Sequence, residues 1–105
     1  MSASRRYEIL PPLRFNDGQT VPDELIGETL QELRLHFGAV TWETRIVSGQ
    51  WQHEGEVFKD DSMRVVIAVD DVTENREFFR QFKERLKIRF RQIDIWMTTH
   101  PIDVV

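Results

Sequence analysis

Phe79, Phe82, Leu86, Phe90 and Ile93 fall at spacings of three, four, four and three, the apolar stripe of an amphipathic helix that must lie against something. The flanking residues say against what. Met63 to Val69 is a nearly continuous run of β-branched and apolar residues, as in an interior strand, and Ile93, Ile95 and Met97 then alternate with Asp94, Trp96 and Thr98. Strand, helix and strand in so short a stretch predict a helix packed across a sheet, with Asp70-Asp71-Val72-Thr73 as turn and cap.

The same succession occurs upstream. Tyr7 to Phe15 alternates Tyr7, Ile9, Pro11, Leu13 and Phe15 against Glu8, Leu10, Pro12 and Arg14, and Asn16-Asp17-Gly18 supplies a turn. Pro22, followed by Asp23 and Glu24, opens a helix with Thr20 or Val21 as its cap; Ile26, Leu30, Leu33 and Phe37 form its stripe and Gly38 its left-handed stop. Val40 to Gln52 predicts one long strand, Glu54-Gly55 a tight hairpin turn, and Glu56 the start of the returning strand, with a bulge at Asp60-Asp61-Ser62.

The order β-α-β-β-α-β predicts an α+β fold of ferredoxin-like topology: two helices on one face of a four-stranded antiparallel sheet, with an apolar tail, Ile102 to Val105, that could add a strand. That topology centres the first strand, where Pro11-Pro12 would remove two ladder donors. The pair is therefore expected past the paired region, or the strand order departs from the standard one. At 105 residues, 40% apolar and 30% charged, the chain is expected to form one domain over residues 1–105.

The absence of cysteine excludes disulfides, thiolate metal sites and cysteine nucleophiles, and sets a reducing cytoplasm as the expected compartment. No apolar run is long enough to span a membrane, and Met1 to Arg6 has no hydrophobic signal core behind it before Pro11. The three histidines, His36, His53 and His100, are dispersed, and no phosphate-cradling glycine loop or serine elbow occurs. Hence no catalytic residue, metal ligand or cofactor is assigned.

Charge is uneven. Residues 73–91 carry seven cations against three carboxylates, +4, so with a total of −4 the remainder is −8. Arg76, Arg80, Lys83, Lys87 and Arg91 form one stripe beside the apolar one, a pattern that fits either nucleic-acid phosphates or a solvated face neutralised by neighbouring acids. An RNA-recognition domain of this topology is disfavoured, because Arg64 to Val69 lacks the glycine and the aromatics that stack bases.

Trp42, Trp51 and Trp96, with seven phenylalanines, predict first of all core. Trp96 nevertheless falls in the polar phase of its strand, and Trp51 lies among glutamines. If the helices cover one sheet face, these two rings belong to the other, a ligand cleft or a dimer interface, with His53 nearby. His53 with Glu56 would be the centre of an enzyme reading.

Val40-Thr41-Trp42-Glu43 through Gly49-Gln50-Trp51, with Gly55 and the strand after Ser62, resembles the central part of small bacterial families of domains of unknown function. The resemblance implies a ferredoxin-like fold and no particular activity. Together these features lead to the expectation of a non-catalytic cytoplasmic domain that self-associates, as a dimer, through its sheet and binds a protein or small ligand at Trp51, His53 and Trp96. The alternative is nucleic-acid binding by the basic stripe.

Overall fold

Alternation and helical periodicity become eight elements in the computed structural model, which describes residues 3–105; Met1 and Ser2, where the N-terminal run begins, lie outside them. They are β1 (Ser4–Leu10), α1 (Asp23–Phe37), β2 (Thr41–Trp42), β3 (Val47–His53), β4 (Glu56–Ser62), β5 (Val65–Asp70), α2 (Thr73–Arg89) and β6 (Trp96–Ile102). β2, β5, β1 and β6 form a four-stranded antiparallel sheet in that order, and β3 with β4 forms a separate ribbon. This is the expected ferredoxin-like arrangement.

Pro11 and Pro12 resolve their own conflict by lying just beyond β1. There the Pro11 carbonyl accepts from the Met63 amide (3.1 Å), and the chain continues beside the end of β4 with the Leu13 amide on the Asp61 carbonyl (2.9 Å). Neither contact needs the missing proline donors.

Tyr7, Ile9, Val65, Ile67 and Val69 share the buried face and meet Leu33, Phe79, Phe82, Leu86 and Phe90 from the helices. Tyr7 stacks on Phe79 with ring centroids 3.8 Å apart, and Phe37 stacks on Phe79 at 5.3 Å, so one ring links β1, α1 and α2. The opposite face, carrying Arg6, Glu8, Leu10, Val66, Trp96 and Thr98, has no fully buried residue and no covering layer among the described residues.

Several sequence expectations are corrected. The long strand from Val40 breaks after Trp42, where the Glu43 amide turns to the Arg64 carbonyl (2.9 Å), and resumes at Val47. The returning strand breaks at Met63-Arg64 rather than bulging at Asp60-Asp61-Ser62. Neither helix has a side-chain cap: the N-cap positions are Pro22 and Val72. α2 stops at Arg89, Arg91 takes a left-handed φ of 53°, and Ile93 leaves the stripe to stand 90% exposed. The C-terminal tail adds no strand, because Ile102 already belongs to β6. Gly38 does end α1 with φ 87°, its amide on the Arg34 carbonyl at 2.8 Å.

Candidate functional site

The β3–β4 ribbon turns at Glu54 (φ 50°) and Gly55 (φ 81°), the paired positive φ values of a tight hairpin. Every residue from 48 to 60 is exposed, Trp51, Val57 and Phe58 included. Local pairing holds it together. Trp51 faces Phe58 across the ladder, the two rings stack at 4.4 Å, and the Trp51 Nε1–H donates to Asp60 Oδ2 at 2.6 Å.

Where the base of this ribbon meets the start of β6, a cleft of about 380 Å³ opens between Trp51 and Trp96. Leu10 and Pro12 form its apolar floor, while Gln50, Asp60, Gln92 and Asp94 place amide and carboxylate groups around it. Gly49 faces Asp60 across the ladder, and a Cβ there would meet nothing within 4 Å, so the missing side chain leaves this wall open. Asp94 receives Lys83 Nζ at 3.0 Å and the Ile95 amide; the lysine contact, more than the amide, holds its carboxyl below the usual range, so it is ionised and accepts only.

The expectation that the tryptophans fill the core fails: Trp42, Trp51 and Trp96 are 46%, 49% and 64% exposed. The core is filled instead by Tyr7 and Ile9 of β1, Val65, Ile67 and Val69 of β5, and Leu33, Phe79, Phe82, Leu86 and Phe90 of the helix layer. Trp96 does lie on the open sheet face, but Trp51 belongs to the separate ribbon rather than to that face, and the two meet only because the ribbon's base borders the start of β6. His53 shares Trp51's side of the ribbon, its ring centroid 6.4 Å away, but lies further out and does not line the cleft. Glu56 is its ladder partner and Glu54 approaches it at 3.7 Å, all three at the exposed tip. His36 packs on Phe78 at 4.2 Å, and His100 lies on the open sheet face opposite Arg6. No three potential metal ligands converge among the described residues.

Each cation of the basic stripe has a partner. Arg76 holds Asp71 (2.9 Å), Arg80 pairs with Glu77, Lys83 with Asp94 and Lys87 with Glu84 (3.2 Å), while Arg91 lies over the Phe15 ring at 4.7 Å. The stripe also divides: Arg76, Arg80 and Lys83 border one groove, whereas Lys87 and Arg91 lie away from it. No helix among the described residues is long and apolar enough to cross a membrane. Sequence reasoning missed Arg64, which sits on the open face with Nε 2.8 Å from Glu8 and Nη1 3.0 Å from Glu43; the two acids, Glu43 foremost, raise its pKa further. Its partners are too far apart in sequence for spacing to reveal them.

No known family profile matches the chain, and no curated protein matches it. Solved structures do. A phage SAM lyase in complex with S-methyl-5'-thioadenosine aligns with a TM-score of 0.72 at 12% identity, over 96% of this chain and 83% of that one. The divalent cation tolerance protein CutA1 from Thermus thermophilus aligns at 0.66 and 16%, over 97% and 86%. CutA1 from Oryza sativa aligns at 0.62 and 15%, over 99% and 84%. At these identities the likeness is one of fold, to proteins with named activities where the sequence resemblance implied a fold alone.

Proposed function

We propose that the protein is a self-associating binding module that holds a small planar ligand in the cleft between Trp51 and Trp96, with a second copy covering the open sheet face and the ribbon. The observation that carries the reading is the convergence of two exposed indoles, from the ribbon and from β6, on one cleft of ligand size. Indole walls suit a flat heterocycle, and the surrounding carboxylates and amides suit its hydroxyl and amino donors. A two-stranded ribbon with exposed Trp51, Val57 and Phe58 is marginal alone, which favours a covering copy.

The phage lyase supplies the first ligand to try, S-methyl-5'-thioadenosine, a planar base with ribose hydroxyls and an apolar thioether. Titration of the intrinsic tryptophan fluorescence with this nucleoside is expected to saturate. Gly49→Leu, which fills open space without straining the backbone, abolishes the response. Native mass spectrometry tests the assembly. Trp96→Glu is expected to give monomers with unchanged helicity, and a mass distribution identical to that of the unsubstituted protein rejects the interface.

A further inference from the structure

On the helix side of the sheet, away from the two tryptophans, a second groove of about 230 Å³ lies between α2 and the outer strand β6. Its floor is apolar: the edge of the stacked Tyr7–Phe79 pair and Met97. Its rim is cationic, with Arg76, Arg80 and Lys83 arriving from one face of α2 and Arg5 from β1.

The charges around the rim do not cancel. Asp71 takes Arg5 Nε at 3.1 Å and Arg76 Nε at 2.9 Å on the same oxygen, with Arg76 Nη2 on the other at 3.1 Å. Two guanidiniums therefore share one carboxylate, leaving a surplus positive charge at the mouth. Arg80, 73% exposed, and Lys83 are tied only to Glu77 and to the exposed Asp94, pairs weak enough in water to be exchanged for a ligand. Tyr7 is 5% exposed and its ring lines the groove, while its hydroxyl, with no side-chain partner among the described residues, stays open to solvent. That hydroxyl is free to hydrogen-bond a ligand seated in the groove.

We propose that this groove binds a phosphate monoester with a flat apolar body: the phosphate head between Arg76, Arg80, Lys83 and the Tyr7 hydroxyl, the body over Phe79 and Met97. Guanidinium forks and an ammonium match the three oxygens of a tetrahedral dianion better than the two of a carboxylate. The apolar floor is what separates this ligand from inorganic phosphate. The groove and the tryptophan cleft lie on opposite sides of the sheet and touch at one pair, Lys83 of the groove with Asp94 of the cleft.

The test uses phenyl phosphate, with inorganic phosphate and benzoate as comparisons, followed by amide and arginine Nε–H chemical shifts in the full-length protein. Saturable shifts are expected at Tyr7, Arg76, Arg80 and Met97, with phenyl phosphate binding about tenfold more tightly than either comparison. Arg80→Glu, at an exposed position, weakens it by about tenfold or more; Tyr7→Phe, which keeps the stacked ring, weakens it by about threefold. Trp51→Ala, on the ribbon and away from the groove, leaves it unchanged. Shifts that do not saturate, equal affinity for inorganic phosphate, tighter benzoate binding, indifference to Arg80→Glu, or shifts centred on Trp51 and Trp96 would each overturn the assignment.

Discussion

Replacing Phe58 with alanine asks whether the ribbon is an independent unit held by its own cross-strand pair. Phe58 stacks on Trp51 at 4.4 Å and 18°, directly opposite it in the ladder, and neither ring belongs to the core. A stacked aromatic pair contributes about 0.5–1.5 kcal/mol beyond area burial. Losing it should raise local opening between about twofold and about twelvefold, at roughly 1.4 kcal/mol per decade. Phe58 is 37% exposed, so its remaining buried area is lost as well and the upper end is expected. Global stability should change by less than about 0.5 kcal/mol, as for a surface site, because no core residue is touched. Amide hydrogen exchange followed by NMR separates the two: amides from Gln50 to Val57 accelerate, and those of Val65 to Val69 hold. Acceleration of both sets together, or of neither, would refute the picture of a self-held ribbon outside the core. If a second copy covers the ribbon, protection of these amides in the unsubstituted protein also rises with concentration.

Other perturbations probe the fasteners. Gly55→Val forces a β-branched residue to a φ of 81°, at a cost of about 1–2 kcal/mol, and is expected to open the same ribbon amides while leaving the α2 signals in place. Arg89, 11% exposed, donates to Thr29 Oγ1 at 2.9 Å and lies 3.5 Å from both Glu28 and Glu32, joining α2 to α1; Arg89→Met should cost about 1.5–3 kcal/mol, read as a lower denaturation midpoint with unchanged slope. Asp71, chiefly through Arg76 and then Arg5, and Asp94, chiefly through Lys83, have carboxyl pKa values below the ordinary 3.8. The unfolded chain therefore takes up these protons first. The stability they contribute is complete above about pH 4–5 and is lost as pH falls through their folded values. A Tm series from pH 7 to 2.5 should show a steep acid limb that Asp71→Asn flattens; an equally steep limb in the variant would count against the clamp.

What was legible in the sequence was mostly local. Gly38 and the Glu54-Gly55 turn announce themselves by backbone conformation, and Leu33, Phe79, Phe82 and Leu86 by helical spacing, so the fold followed from the order of periodicities. Ile93 shows where spacing misleads: it stays in phase with the stripe after the backbone has left the helix. The break after Trp42 depends on Arg64, a tertiary partner that alternation cannot see. Strand phase removed Trp96 from the core face, but its meeting with Trp51 at one cleft depends on where the ribbon leaves the sheet. The helix-side groove was less legible still. Arg5 and Asp71 are 66 residues apart, and only the pairing of β1 with β5 brings them together.

The electrostatic asymmetry then acquires a structural account. Much of the surplus positive charge of α2 is consumed as fasteners to α1: Arg85 reaches Glu32 at 3.4 Å, and Arg89 reaches Glu28 and Glu32. Arg85 also lies over the Phe78 and Phe82 rings, so even its apolar contacts serve the helix layer. A helix used in this way needs many cations and leaves few of them uncompensated, which is why a +4 segment need not be a footprint for a polyanion. The exception is the end where Arg5 and Arg76 converge on Asp71, and there the sheet contributes the second cation. Charge density along one helix is a poor guide to a site; a shared counterion beside an open groove is a better one, because the excess is fixed by geometry rather than dispersed into water.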